Sequence, residues 1–205
     1  MLIPLLIAAA LHVDPDAGNS KFDATFDAPL GERIMAVSAA IACDLTYDEK
    51  TGAAAGSCAV PLTSITVDSE PTKTEHFQQW ATNKKVEPKA CRIEAKFDGI
   101  KAEPAALSDK PSKVAGEAAF TVCGRARTDG KKEKLTGSAM KLADGRIRIR
   151  LRVDKFNRDR YQIGPKYTEG WLSRVQQLAP VVAETGTLDI SIFANPAETS
   201  PAAKP

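Results

Sequence analysis

The stretch RIRIRLRVD, residues 146–154, is the strongest indicator of the fold, because arginine alternates strictly with aliphatic residues along it. Successive side chains of a β-strand point to opposite faces, so every arginine lies on one face and every aliphatic residue on the other. The two sets are Arg146, Arg148, Arg150 and Arg152 on one side and Ile147, Ile149, Leu151 and Val153 on the other. One charged face and one apolar face are typical of a closed barrel wall around an apolar interior.

Seven further segments combine short, alternating apolar runs with turn residues at their ends, which predicts strands. They cover residues 21–28, 33–47, 57–67, 90–97, 116–123, 131–141 and 186–194. Eight strands joined mainly by hairpins favour an all-β antiparallel fold, either an up-and-down barrel or a sandwich. A parallel sheet would need a helix between most strands.

Two segments have helical periodicity instead. Residues 72–82 place Phe77, Trp80 and Ala81 on one side, and residues 168–179 do the same with Trp171 before Pro180 ends the helix. Both apolar stripes are typical of core-covering helices. In a barrel, such helices commonly lie over the mouth, where they also face a ligand.

Composition excludes several classes of protein. The 205 residues carry a net charge of +2, so the chain has no global basic field of the kind that attracts nucleic acid. Hydrophobic residues make up 43% of it, which is too many for wholesale disorder, and no apolar run reaches 18 residues. We therefore expect a soluble globular domain of common size that needs no metal for its stability.

The two ends differ from the body of the chain. Residues 2–11, LIPLLIAAAL, resemble a secretory signal with a small-residue cleavage site but no basic start, and 12–20 are polar and turn-rich. The alternatives are a hydrophobic first strand or a clipped gene start. We expect a signal peptide and tether at 1–20, the barrel at 21–195, a disordered tail at 196–205, and a periplasmic or otherwise exported protein.

The four cysteines contain no Cys-x-x-Cys pair, so a zinc site is not expected. In an exported protein they predict two disulfides. A hairpin that pairs Cys43 with Cys58 also puts Ile41 opposite Val60, which favours this bridge and leaves Cys91 with Cys123. The alternative is four buried thiols in a reducing cytosol.

Catalytic motifs are sparse. The histidines are His12 and His76, and the sequence contains no Gly-x-Ser-x-Gly elbow and no glycine-rich phosphate loop. A hydrolase using His76 is a weak alternative, so we expect a protein that is not an enzyme and has no cofactor.

The arginines of 146–154 have two interpretations. They either pair with carboxylates of neighbouring strands as a solvated wall, or form a docking stripe for anionic headgroups or an acidic envelope partner. The near-neutral total charge argues against nucleic acid in either case.

Several segments, in order, resemble the YceI-like family from about Phe22 to Ala194. They are VPLTSI at 60–65, KTEHF at 73–77, VEP at 86–88, GEAAFTVCG at 116–124 and RDRYQIG at 158–164. These are similar to the family's V-x-L-x-S-L strand, its Arg-Asp-x-His helix start with a later proline, its G-x-L-T-l-H-G strand and its Arg-x-Asp-Phe-Gly-Ile segment.

This sequence departs from those motifs within the motifs themselves. Lys73-Thr74 replaces Arg-Asp, and Arg160 and Gln162 replace the late Asp and Gly. Cys91 and Cys123 replace the family's Phe and His on two neighbouring strands, which again favours a bridge between them. The exact register of that bridge would put Ile93 opposite Thr121.

The resemblance implies a lipocalin-like, eight-stranded up-and-down barrel with two short helices near its mouth and a long apolar tunnel. The expected ligand is a polyisoprenoid such as a quinone or a prenol, held by buried apolar area. The candidate wall is Phe26, Ile41, Leu62, Phe77, Trp80, Phe97, Phe120, Ile149, Leu151, Phe156, Tyr161, Trp171 and Phe193. Tyr161, His76 and Lys73 are the expected polar contacts at the mouth.

A second hypothesis is a structural adaptor, in which side chains fill the barrel and the arginine stripe docks an envelope partner. The sequence leaves open which lipid or partner is bound and whether two barrels form a homodimer.

Overall fold

A computed structural model describes residues 9–168 and 182–196, and their strands form one closed antiparallel barrel. The strands are β1 (Ala9–Val13), β2 (Lys21–Asp27), β3 (Arg33–Ser38), β4 (Ala42–Tyr47), β5 (Ala53–Pro61), β6 (Thr66–Val67), β7 (Arg92–Glu103), β8 (Ser112–Val122), β9 (Arg125–Ala126), β10 (Glu133–Lys141), β11 (Ile147–Asn157) and β12 (Thr185–Pro196). Helix α1 (Pro71–Thr82) lies between β6 and β7.

The barrel closes because β1 and β2 both pair with β12, one near each end of that long strand. On the other side β1 pairs with β4 and β2 with β3, so β1/β2 and β3/β4 each occupy one position. With β5, β7, β8, β10, β11 and β12 this makes eight positions, and neighbours in the sheet are neighbours in the sequence. The predicted eight-stranded up-and-down barrel is therefore confirmed.

The strand that decides the fold has the predicted orientation. In β11, Ile147, Leu151 and Val153 are buried, while Arg150 and Arg152 are exposed. A register shift against β12 after Val153 then brings Phe156 into the interior.

Strand boundaries differ from the sequence-based expectations in three places. The predicted strand 33–47 is interrupted after Ser38, whose hydroxyl accepts a hydrogen bond from the Ala40 amide at 3.1 Å. The predicted strand 57–67 is two strands, β5 and β6, and β9 was not predicted. Helix 72–82 is present as α1, whereas 168–179 lies, apart from Thr168, outside the described residues.

The barrel also begins earlier than the sequence suggested. Ala9–Val13 forms β1, and Leu11 and Val13 are buried between β4 and β12. Residues 9–13, assigned above to the signal peptide and tether, therefore belong to the barrel domain. The export signal itself stays a prediction.

Both disulfides are present with the predicted pairing. Cys43 and Cys58 are directly opposite in the β4–β5 register, with Cα atoms 4.1 Å apart. Cys91 and Cys123 have Cα atoms 4.6 Å apart. The predicted register of the second bridge was wrong by one residue, because Ile93 is opposite Val122. Cys123 leaves the strand with a φ of 48°, so it reaches Cys91 from a turn.

Removing the second bridge is expected to lower the free energy of unfolding by nearly 4 kcal/mol on the chain-entropy model, because it closes the longer loop. The Cys91→Ala/Cys123→Ala double variant should show this as a lower urea midpoint. Its matched control is the Cys43→Ala/Cys58→Ala double variant. The Cys43–Cys58 bridge closes a loop of 15 residues rather than 32, so its removal should lower the free energy of unfolding by about 3 kcal/mol. An unchanged midpoint in both variants would contradict the expected contribution of the disulfides.

Candidate ligand-binding cavity

The barrel contains a cavity of about 230 Å³ at the end covered by α1, which we call the α1 cavity. Most of the side chains around it are apolar, and they come from β2, β3, β6, α1, β7, β8, β11, β12 and the loops after β11. The lining residues are Phe22, Ala24, Phe26, Ile34, Ala36, Val67, Lys73, His76, Phe77, Trp80, Ile93, Val122, Phe156, Arg158, Ile163, Val182 and Leu188. Such a cavity can enclose an apolar ligand by surface burial.

A second, much smaller cavity of about 40 Å³ lies toward the opposite end of the barrel. Along β7, Ile93 lines the α1 cavity and Phe97 the second one, with Ala95 buried between them. Strand β12 repeats this order with Leu188, Ile190 and Ile192. The described residues therefore form two separate cavities in place of the long continuous tunnel that the family resemblance implies.

Buried side chains fill the barrel between the two cavities, and we call them the middle layer. Its members are buried residues that line neither cavity: Val13, Ile41, Cys43, Cys58, Ala95, Phe120, Leu135, Val153 and Ile190. The Cys43–Cys58 disulfide thus lies in the packed interior. The middle layer sets the depth of the α1 cavity.

Hydrogen bonds hold helix α1 over its end of the barrel. The Asp68 carboxylate accepts from the Met35 amide at 2.8 Å and from Lys73 Nζ at 2.9 Å, and the Thr74 hydroxyl accepts from the Val67 amide at 2.9 Å. Burial alone would raise the pKa of Asp68, but the hydrogen bonds from Lys73 and Met35 outweigh it and the pKa is lowered. At the other end of α1, the Arg125 guanidinium donates to the Ala81 carbonyl.

Arg158 is a buried cation in the cavity wall, with 6% of its surface exposed. Its Nε donates to the Ala183 carbonyl at 3.1 Å, Nη1 to Ile163 at 2.6 Å and Nη2 to Val182 at 2.7 Å. Burial lowers the pKa of its guanidinium. Glycine is favoured at residue 164, because its φ is 152° and a Cβ there would lie 2.5 Å from Nη1.

Lys73 and His76 are the other two ionisable residues that the described part of the chain contributes to the lining, and both lie on α1 as predicted. Lys73 Nζ lies 2.9 Å from an Asp68 oxygen and 3.3 Å from a Glu70 oxygen, and hydrogen bonds to these two acids raise its pKa. His76 is half-buried. Together with Arg158, these residues give the cavity a basic side.

Tyr161 does not contact the cavity mouth, contrary to the sequence-based prediction. It is fully buried, its ring stacks on Phe156 with centroids 4.9 Å apart, and its hydroxyl donates to Glu133 at 2.8 Å. Arg127 Nη1 lies 2.8 Å from the same Glu133 oxygen. Burial, and then the hydrogen bond to Glu133, raise the pKa of Tyr161. Tyr161 therefore packs and anchors the interior.

The other predicted wall residues fall into four groups. Phe26, Phe77, Trp80 and Phe156 line the α1 cavity. Phe97, Ile149 and Leu151 line the second cavity. Ile41, Leu62 and Phe120 are buried without lining either cavity. Trp171 lies outside the described residues.

Phe193 is a correction, since it lies on the outer face of the barrel. Its neighbours Ile192 and Ala194 are buried inside, and the guanidinium carbons of Arg146 and Arg148 lie 5.6 and 5.5 Å from its ring centroid. Strand alternation from Ile192 could have predicted this orientation.

Sequence reasoning missed much of the cavity wall. The missed residues are Phe22, Ala24, Ile34, Ala36, Val67, Ile93, Val122, Arg158, Ile163, Val182 and Leu188. Alternation in 21–28 contains the signal for Phe22, Ala24 and Phe26 together, because these residues are two apart. Nothing in the sequence distinguishes buried Arg158 from an exposed loop arginine.

The arginine stripe is largely engaged with groups of the barrel itself. Arg146 pairs with Asp144 at 2.7 Å, and Arg152 pairs with Asp154 at 2.7 Å and Asp189 at 3.0 Å. Arg150 makes no ion pair within residues 9–168 and 182–196. Docking of a partner on this stripe stays a prediction.

Among the described residues, no three His, Cys, Asp or Glu side chains are grouped so that they could hold a metal ion. No helix in the same ranges is long and apolar enough to cross a bilayer. The described residues form a closed antiparallel barrel of the lipocalin-like type, in which helix α1 caps the larger of two apolar cavities and a basic group of residues lies at its edge.

Comparison with solved structures finds this fold in a polyisoprenoid binding domain from Saccharophagus degradans implicated in plant cell wall breakdown. The TM-score is 0.61 over 93% of this chain and 99% of that chain, at 10% sequence identity. No family model and no curated protein matches the sequence. The structural similarity establishes the fold and agrees with the YceI-like resemblance at that level.

Proposed function

We propose that this protein binds a hydrophobic isoprenoid lipid, of quinone or polyprenyl type, in the α1 cavity and carries or stores it without catalysing a reaction. The observation that supports this most is the apolar α1 cavity of about 230 Å³ inside a closed barrel. The similar fold of a polyisoprenoid binding domain supports the same ligand class.

Apolar burial supplies the affinity in this proposal. An isoprenoid tail offers no hydrogen bonds, so each Å² of apolar surface removed from water contributes about 25 cal/mol. Since the middle layer ends the cavity, the enclosed part is a short tail or the end of a longer one.

The disulfides bear on the location of the protein. Two formed bridges are typical of an oxidising compartment, so we propose export to the periplasm or another extracytoplasmic space. The same environment would contain the membrane lipids that the proposal requires.

The ligand can be identified on the protein isolated from its own host envelope. Native mass spectrometry of that sample, followed by organic extraction and lipid analysis, should show a stoichiometric isoprenoid adduct. The intact mass should also lack four hydrogens, since the structure contains two disulfides. An apo mass with no lipid recovered would contradict the proposal.

Quinone binding should quench the fluorescence of Trp80, because its indole lines the α1 cavity. The probe is a ubiquinone analogue with two isoprene units, and the protein carries Trp171→Phe so that all tryptophan emission comes from Trp80. We expect saturable quenching with a Kd of about micromolar order.

The control ligand for this titration is the same quinone headgroup without its tail. It should quench only weakly and without saturation, since it lacks the apolar surface that binds. Equal quenching by both compounds would show collisional contact in place of tail binding.

The adaptor function is a second candidate, supported by the filled middle layer and by exposed Arg150, for which the described residues supply no ion pair. Replacing Arg148 and Arg150 with glutamate should abolish capture of an acidic partner under this hypothesis. Under the carrier hypothesis the same variant keeps its lipid content.

A further inference from the structure

The ionisable side chains that the described residues contribute to the α1 cavity are all basic. Among the described lining residues, three have basic side chains, namely Lys73, His76 and Arg158, and none is an aspartate or glutamate. A cavity for a purely neutral ligand has no need of a basic side. The basic side therefore indicates the charge of the ligand.

Arg158 is the most informative of the three, because all of its hydrogen-bond acceptors within residues 9–168 and 182–196 are backbone carbonyls. No carboxylate of residues 9–168 or 182–196 forms an ion pair with it. Asp159 and Glu184 act on it at longer range, but both of them pair with Lys166. Buried positive charge with no carboxylate in direct contact is unfavourable, and an anion beside it would relieve this.

The guanidinium also has donors to spare. It carries five N–H groups, one on Nε and two on each terminal nitrogen. The three carbonyls take one N–H from each nitrogen, which leaves one N–H on Nη1 and one on Nη2. Unused N–H groups on the two terminal nitrogens of one guanidinium can bond the oxygens of an oxyanion.

The other two basic residues, Lys73 and His76, differ in how available their side chains are to a ligand. Lys73 is already paired with Asp68 and Glu70, so its charge is partly neutralised. His76 makes no hydrogen bond to any described residue and lines the same cavity from α1. The ring nitrogens of His76 are therefore available to a ligand.

We infer that the α1 cavity is built for an amphiphile whose apolar chain ends in an oxyanion, a phosphate or a carboxylate, bound by Arg158 with His76 beside it. This inference rests on the proposed lipid-binding function and specifies the headgroup of the bound lipid as an anion. The apolar wall takes the chain, and the basic side takes the headgroup.

Isothermal titration of the full chain with matched ligand pairs tests the inference. The pairs are farnesyl phosphate against farnesol and dodecanoate against dodecanol, each sharing one chain and differing only in the end group. We expect the anionic member of a pair to bind at least about tenfold more tightly, which is typical of hydrogen bonds to a charged group. If only farnesyl phosphate binds more tightly than its alcohol, the ligand class is an isoprenyl phosphate. If only dodecanoate does, the ligand class is a fatty acid.

Arg158→Gln is expected to reduce the ratio of the two dissociation constants to about one while farnesol affinity changes by less than about threefold. If Arg158 had only a structural role, its replacement would lower the affinity for both ligands of a pair equally. Arg158→Lys keeps the positive charge and should recover part of the preference. His76→Ala provides a second variant in case Arg158→Gln does not fold, because it breaks no hydrogen bond among the described residues. It should lower the ratio of the two dissociation constants by a smaller factor.

The matched control is Lys113→Gln, which removes an exposed charge from β8 and should leave the ratio unchanged. Equal affinities within both pairs, or tighter binding of the alcohols, would overturn the inference while leaving the proposed lipid binding intact. Failure of all four compounds to bind would overturn the proposed function together with the inference.

Discussion

Replacing Ala36 with phenylalanine is expected to lower the affinity for the two-isoprene ubiquinone analogue by about 100-fold or more. Ala36 is buried on β3, and its partners Ala24 on β2 and Val67 on β6 also line the α1 cavity. A benzyl group at this position occupies the space that the tail would fill. Loss of the buried tail surface corresponds to about 3 kcal/mol of binding free energy.

The fold should survive this substitution, because the added ring enters an existing cavity and does not displace packed side chains. Ala39→Phe is the matched control, since Ala39 is exposed at the break between β3 and β4. Quenching titrations and thermal unfolding should be run on both variants. Unchanged affinity in Ala36→Phe would place the binding site outside the α1 cavity.

Phe156→Ala is expected to lower the free energy of unfolding by about 3 to 5 kcal/mol, as is typical of a buried phenylalanine. The Phe156 ring stacks on Tyr161 and packs edge-on against Phe120, with centroids 6.2 Å apart in the second pair. Its removal breaks both contacts and enlarges the α1 cavity. Urea unfolding followed by circular dichroism measures the change.

Phe193→Ala provides the control for this prediction, because that ring lies outside the barrel under Arg146 and Arg148. We expect a loss of about 1 kcal/mol, mainly from the cation–π contacts, and unchanged ligand affinity. Equal destabilisation by the two substitutions would contradict the assignment of Phe156 to the interior and Phe193 to the outer face.

Part of the molecule could be predicted from the sequence because strand geometry is local. A period of two residues assigns faces without any knowledge of the fold, and it placed Leu151 and Val153 inside and Arg152 outside correctly. The same rule, carried across a hairpin, predicted that Cys43 and Cys58 face each other. Cys91 and Cys123 were paired correctly, but their register was not, because Cys123 lies in a turn.

Other features depend on contacts between distant segments. Residues 9–11 belong to an apolar run that resembles a secretory leader, and only pairing with β4 and β12 shows that residues 9–13 form a strand. Tyr161 combines an aromatic ring with a hydroxyl, as expected of a residue at the cavity mouth, but its hydroxyl donates to buried Glu133, which is 28 residues away in the sequence. No local pattern contains this contact.

The sequence by itself determined the all-β antiparallel class, the apolar inner face and the Cys43–Cys58 pair, since these follow from alternation along strands and pairing across a hairpin. The choice of a barrel over a sandwich came from the family resemblance, which also supported the Cys91–Cys123 pair. Only the tertiary structure decided where the interior is empty and where the middle layer fills it. The depth of a side chain in a barrel depends on the stagger of all eight strand positions, and no single strand contains that information. The burial of Arg158 was decided in the same way, by the carbonyls of residues 163, 182 and 183 that surround it.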